Sequence, residues 1–373
     1  MARILSVVWY KILPATYGGQ KGIAEFNEHL ARRHELICLC ASSNDPKDVP
    51  YKVITDLPEG KLQVLMPFNW MRILQAVGRH QTSHMLLEHC YYGIPAMLAK
   101  RFLKARLILH AHNIEYQRFR DLGKWWWPLL KILELSVSRH ADLLLFKTPE
   151  DLSHASKVFG FDPLKAMVVP FGINLSAPPD PSRKPIASSL IRQRHAVGEH
   201  EKILLFTGTL DYAPNAAALE DLVTVIIPML ERMCGTPFRV IVCGRIRDPR
   251  YAYLRDLAHP KFTYAGEVDD LGSYLLSADL FLNPVCTGGG IKVKTMEALS
   301  HNLTVISTEH SARGIDKQVT GDKLQVVADH DWSAFCERIV RSLEIKSDTP
   351  MIFYERYGWA SITDSVARRI DAL

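Results

Sequence analysis

Residues 283–300, NPVCTGGGIKVKTMEALS, decide how this chain is read. A strand-like run, 280–283, stops at Pro284, and three glycines follow (Gly288, Gly289, Gly290). Lys292 and Lys294 stand two apart, and a helical segment over 294–300 carries Glu297. Consecutive glycines let backbone N–H groups approach an anion closely. The helix N-terminus adds partial positive charge and the two ammonium groups add full charges, which together suit a diphosphate. Glu297, three residues after Lys294, shares its helical face and can accept hydrogen bonds from a ribose diol. The plainer account is a flexible loop before a helix with solvated lysines. Glycines, lysines and glutamate in one short run favour the anion cradle.

Outward from this stretch, strand-like and helix-like segments alternate. Residues 202–207 (KILLFT), 239–243, 262–264, 280–283 and 304–307 read as strands, and 216–233, 271–277 and 294–300 as helices. The first half repeats the pattern: strands at 4–10, 35–41, 106–110 (RLILH) and 141–146 (ADLLLF), a glycine turn at 16–21 (TYGGQK) and a helix at 22–33. Strands separated by helices predict parallel sheets with right-handed crossovers. Residues 175–200, opening with SAPPDPSRKP, have the Pro- and Ser-rich character of a linker. The fold class is therefore α/β, with one domain over 1–178, a second over 179–355, and a helix over 356–373 returning to the first. Ligands of such sheets bind beyond the carboxyl ends of the strands, so a cleft lined by both domains is expected.

Composition agrees and excludes much else. The 373 residues are 47% hydrophobic and 23% charged, ordinary for a globular protein. The net charge of +5 is too small to demand nucleic acid. Its placement says more: residues 100–124 hold Lys100, Arg101, Lys104, Arg106, Arg118, Arg120 and Lys124 against only Glu115 and Asp121. Seven scattered cysteines without a CxxC pair suggest neither zinc nor a disulfide framework. Cys38 and Cys40 read as buried thiols on one strand face, and a reducing cytoplasm is expected. The apolar runs are too short for a membrane span or a signal peptide.

Three segments, GTLDYAPNAAALEDL (208–222), GEVDDLGSYLLSADLFLNP (266–284) and GGGIKVKTMEALSHNLTVIST (288–308), occur in an order that resembles the C-terminal domain of family-4-type retaining glycosyltransferases with the GT-B fold. TYGGQKGI (16–23), HAHNIEYQRFR (110–120) and VVPFGIN (168–174) resemble that family's N-terminal half, so the likeness covers nearly the whole chain. It implies two Rossmann-like domains about a deep cleft. It also implies transfer of a sugar, with retention, from a nucleotide-sugar donor to a glycan or lipid-linked acceptor, as in cell-surface polysaccharide or glycolipid synthesis. A UDP-sugar is the favoured donor, and neither cofactor nor metal is needed. Glu297 matches the second glutamate of the family's EX7E motif, which holds the ribose; where the first would stand, this chain has Gly289. Thr209 and Asn215 stand where many relatives carry an Arg and a Lys on the diphosphate, and charge logic passes that duty to Lys292 and Lys294. The resemblance marks Gly18, Gly19, Gly208, Arg245, Val268, Gly289, Gly290, Ile291 and Glu297 as donor-binding positions. His112, with Lys292 and Lys294, is the catalytic expectation, because the resemblance places a histidine of its loop near the transferred sugar. His110 reads as structural, Asn113 as a helix cap, and Glu115 and Arg118 as a surface ion pair.

Two other readings stay open: a nucleotide-sugar-binding protein of the same fold without turnover, and a GT-B epimerase, for which extra acid–base carboxylates would be needed. Trp125, Trp126 and Trp127 directly follow the basic window. Tryptophan beside Lys and Arg is the composition of a membrane interface. An anionic membrane surface is thus an expected partner, with 65–73 (LMPFNWMRI) contributing, and the expected location is cytoplasmic, peripheral on the inner face of the membrane. Nucleic acid is not an expected partner.

Overall fold

The computed structural model describes residues 1–288 and 293–373. Among them the chain divides into two compact units, Met1–Gly172 with Trp359–Leu373, and Ile173–Gly358.

In the first unit, strands β1 (Arg3–Val8), β2 (Glu35–Ala41), β3 (Lys52–Leu57), β4 (His84–Glu88), β5 (Arg106–Ala111), β6 (Leu143–Phe146) and β7 (Ala166–Val168) form one parallel sheet in the order β3-β2-β1-β4-β5-β6-β7. β1, β2, β4, β5 and β6 are buried along almost their whole length, as parallel strands covered on both faces must be. One apolar cluster includes Leu87, Leu109, Tyr116, Val137 and Phe159. The other joins Ile4, Phe26, Cys38, Cys40 and Leu145 to Trp359, Ile362, Val366 and Ile370. The chain thus re-enters this core at Trp359, whose indole packs against Phe171 and Phe26 and donates to Glu25 at 2.6 Å. A Cβ on Gly172 would stand 2.2 Å from that ring. Only glycine fits there.

In the second unit, β8 (Lys202–Thr207), β9 (Phe238–Cys243), β10 (Phe262–Gly266), β11 (Leu280–Asn283), β12 (Thr304–Thr308) and β13 (Leu324–Val327) form a second parallel sheet, ordered β10-β9-β8-β11-β12-β13. Both sheets are doubly wound. Each starts at a central strand, builds to one side, then crosses over and builds to the other.

Several expectations need correction. The break falls at Gly172/Ile173 and Gly358/Trp359, not at 178/179 and 355/356. The proline-rich stretch runs into a helix, Arg183–His195, whose Ala187 and Ile191 are buried and whose Lys184 donates to the Ala278 carbonyl at 2.9 Å. These contacts tie it to the second unit. Gly18 and Gly19 do not form a free turn; they open the helix Gly18–Ala31. β3, β4 and β13 were not foreseen. One apolar helix is also longer than its sequence pattern suggested: Ala213–Met233 has the length and composition of a membrane span, with half of it buried. Its Leu219, Leu222, Ile226 and Leu230 lie within the second unit's core, and the turn Leu222–Ile226 is widened to a π-helix. It is a core helix.

Candidate active site

In the second unit, β8 and β11 are neighbours from which the chain winds outward in opposite directions, so their carboxyl ends flank the switch point. Asn283, the last residue of β11, donates to Thr295 Oγ1 at 2.8 Å and ties the strand to the helix Val293–Ser300. Lys294, in that helix's first turn, extends to the end of β8. Its Nζ donates to Asn215 Oδ1 at 2.8 Å and stands 4.3 Å over the Phe206 ring. Asn215 Nδ2 in turn donates to the Thr209 carbonyl at 2.9 Å. A Cβ on Gly208 would lie 2.9 Å from Lys294 Nζ and 2.8 Å from Asn215 Nδ2, so the ammonium reaches this position only because residue 208 is glycine. An amide and an aromatic face hold the lysine, and neither neutralises its charge. Glu297 lies half-buried three residues along the same helix.

Arg245 follows β9 directly, its carbonyl accepting from Leu210 N–H at 3.0 Å. Its guanidinium comes no closer than 4.0 Å to Glu267, which pairs with Arg247 at 2.9 Å. Val268, after β10, packs against the apolar cluster of Tyr274 and Leu275. Gly288 adopts φ +91°, and its carbonyl accepts from His310 Nε2. The expected contributions of Gly289, Gly290, Ile291 and Lys292 lie outside the described residues. The structure therefore brings together Gly208, Thr209, Asn215 and Lys294, with Asn215 linking the ammonium to the Thr209 carbonyl.

The first unit's switch point lies between β1 and β4. Three neighbouring strands end here in polar groups: Glu88 closes β4, His110 and His112 lie at the end of β5, and Lys147 follows β6. His112 Nε2 donates to Glu88 Oε2 at 2.5 Å, and His110 Nδ1 lies 3.0 Å from the same oxygen without the alignment of a hydrogen bond. The rings of His110 and His89 lie against that of His112, tilted by 37° and 36°, with centroid spacings of 4.3 and 4.6 Å. His89 Nδ1 in turn stands 3.2 Å from Glu115 Oε1, and Tyr91 and Arg118 donate to Glu115 Oε2 at 2.8 and 3.3 Å.

Burial sets the protonation here. It drives His110 and His112 well below the usual imidazole range, aided by the nearby positive groups. It also lowers Lys147 to about 8, although Glu88 works to keep that ammonium charged. Burial opposes ionisation of Glu115, but His89, Arg118 and Tyr91 outweigh it and bring the carboxyl to about 2. Glu134 goes the other way, pushed up to about 8 by burial although it accepts the Glu115 and Tyr116 N–H groups at 2.8 Å each. That carboxyl caps the helix Glu115–Asp121; Asn113, the expected cap, instead donates to Glu115 Oε1 at 3.2 Å. Glu115 is correspondingly a buried member of the cluster, not one half of a surface pair. His110 is a full member too, its ring completely buried.

Glu88, His110 and His112 present three ligand atoms within 4.8 Å of one another, the donor set of a metal site. Their present spacing is that of hydrogen bonding, and a cation at ~2.1 Å from each would have to spread them. Sequence reasoning missed Glu88, His89 and Lys147. The available signal was the short run HMLLE ending in a charge, too brief to separate from a helical segment by periodicity.

The family follows from matches to known proteins. Residues 17–177 match Glycosyltransferase Family 4, and residues 201–344 match Glycosyl transferases group 1. The chain belongs to the family-4-type glycosyltransferases. Solved structures agree on the fold. Sucrose-phosphate synthase from Thermosynechococcus elongatus superposes with TM-score 0.74 at 15% identity, covering 99% of each chain. Anabaena Alr3699/HepE in complex with UDP-glucose gives 0.73 at 13% identity over 100% of each chain. WaaG, a glycosyltransferase involved in lipopolysaccharide biosynthesis, gives 0.65 at 15%, covering 97% of this chain and 98% of that one. The fold of this glycosyltransferase is thus GT-B, with two Rossmann-like domains. No curated protein sequence matches the chain.

Proposed function

We propose that this glycosyltransferase moves a sugar, with retention of configuration, from a nucleoside-diphosphate sugar to a glycan or lipid-linked acceptor in polysaccharide or glycolipid synthesis. The observation that carries the reading is Lys294, an ammonium held by Asn215 and Phe206 at the second unit's switch point with Gly208 cleared of a side chain. Negative charge on the departing diphosphate grows in the transition state, so a cation fixed beforehand stabilises that state more than the ground state. Lys294, with Lys292, takes that role, Glu297 takes the ribose, and His112 acts on the transferred sugar. The leaving phosphate can accept the acceptor's proton on the same face, which gives retention without a dedicated base. Two lysines make a divalent cation unnecessary. UDP is the favoured nucleotide, in keeping with the UDP-glucose complex of Alr3699/HepE.

The acceptor side is assigned to the first unit, peripheral on the inner face of a membrane. Leu122, Trp125, Leu129 and Ile132 are exposed there beside Lys124. Apolar side chains beside basic ones complement an anionic lipid surface.

A screen of donor hydrolysis and transfer across UDP-, GDP- and other activated sugars tests the proposal, with chelator present throughout. Turnover of one donor class with the product anomer unchanged is expected. Nucleotide binding without turnover of any donor would support the silent binder, and turnover that stops with chelator would overturn the metal-free reading.

A further inference from the structure

We propose that Glu88 is a positioning residue that selects the tautomer of His112, so that His112 meets the sugar as a hydrogen-bond acceptor through Nδ1. The inference rests on the sugar-transfer reading for its purpose, but not for its geometry. Neutral imidazole carries one N–H and one lone pair, and the partner of one nitrogen fixes the role of the other. Glu88 Oε2 stands 2.5 Å from His112 Nε2, so the carboxylate holds the proton on Nε2 and leaves the lone pair on Nδ1. No described residue hydrogen-bonds to Nδ1, and His112 is the one member of the Glu88–His110–His112 group whose side chain has exposed surface, 12% against zero for the other two. The accessible part of the group is thus the acceptor end of a ring whose donor end is committed.

The surroundings keep this choice fixed. Lys147, whose buried Nζ has no hydrogen-bond partner among the described residues, supplies positive charge felt by Glu88 and by both imidazoles. The rings of His110 and His89 pack tilted against His112, with centroids 4.3 and 4.6 Å away. Since the Glu88 side chain is fully buried behind His112, it acts through that ring. A neutral acceptor at Nδ1 can orient a sugar hydroxyl by taking its proton into a hydrogen bond, whereas the opposite tautomer would offer that hydroxyl a donor.

The test reads the tautomer directly. Long-range 1H–15N correlation of histidine-labelled protein without substrate, with His112 assigned by H112Q, is expected to show Nε2–H in the wild type. In E88Q, a near-isosteric change whose amide offers both donor and acceptor, it is expected to show a mixture. In the same variant kcat should fall by about tenfold to hundredfold with the donor KM changed less than about twofold. An Nδ1–H signal in the wild type, an unchanged tautomer in E88Q, or wild-type kcat in E88Q would each overturn the proposal. A wild-type protein that transfers no sugar yet shows the expected tautomers overturns the transfer reading and leaves the positioning role standing.

Discussion

The two units share a winding and differ in what they place at its switch point. In both, a central strand is flanked by an early and a late neighbour, and polar groups collect where those strands end. Among the described residues, the second unit places at its end a glycine, the Asn215 amide and the Lys294 ammonium that this amide accepts from. The first unit fills its end with two carboxylates, three imidazoles and a buried ammonium that satisfy or restrain one another. On the proposed function, one arrangement receives charge from outside. The other holds its own charges in order and offers a selected face. The same backbone plan serves both, so function follows from the side chains placed at the strand ends.

The sharpest way to break the contrast is to remove the Lys294 ammonium. Lys294→Ala is expected to lower kcat/KM for donor turnover by ~100- to 1,000-fold, the scale of losing one preorganised group at a developing anion. Melting temperature should change far less than activity, since Lys294 lies outside the apolar core of the second unit. Wild-type kcat/KM would remove the second unit's claim. Gly208→Ala tests the same point from the backbone. The added Cβ lands within 2.9 Å of Lys294 Nζ and forces the ammonium aside. Activity is expected to drop roughly tenfold, matching ~1–2 kcal/mol of lost placement, with a lower melting temperature as well, because residue 208 holds φ +156°, which L side chains rarely adopt.

The first unit should respond through pH. Glu134 has its carboxyl raised by burial to about 8 in the folded state, against 4.5 for the free group. The folded chain therefore holds a proton there that the unfolded chain has lost, and stability from this group declines as pH rises from about 4.5 to 8. Glu134→Gln keeps the shape and removes the titration. The difference in unfolding free energy between wild type and variant, measured by denaturant titration, should shrink or reverse in the variant's favour across that window. A difference constant with pH would contradict the buried neutral carboxyl. The smallest effect is expected at the surface. Trp125, 83% exposed, replaced by serine should weaken sedimentation with anionic liposomes at low salt by roughly fivefold. Trp126 and Trp127 pack against the core and are left in place. Equal sedimentation would detach the first unit from the membrane.

The contrast also explains what could be read from sequence. The proposed donor site in the second unit is local in sequence, since Lys294 and Glu297 sit on one short helix and the glycines precede it in the chain. The strands bounding it, Lys202–Thr207 and Leu280–Asn283, are apolar runs that announce themselves. The first unit's cluster is assembled from three strand ends spread between residues 88 and 147, and no periodicity links Glu88 to His112. His110 looked structural because it is a strand residue. Its ring meets Glu88 only through the β4–β5 register, which pairs Glu88 with His110 across the sheet. Asn113 failed as a cap for a similar reason: the better acceptor, Glu134, comes from the following helix and is invisible to a window of a few residues. The linker reading failed because prolines at 178, 179 and 181 describe the approach to a helix as well as they describe a tether.

The tryptophan at 359 has a consequence for biogenesis. Half of the first unit's interior is sealed by Trp359, Ile362, Val366 and Ile370, which the ribosome makes only after all of the second unit. At ~5–20 residues per second, the earlier half waits on the order of ten to forty seconds with that apolar flank uncovered. During translation it is the later-made unit that can close first, and the nascent earlier half is the natural client for a chaperone.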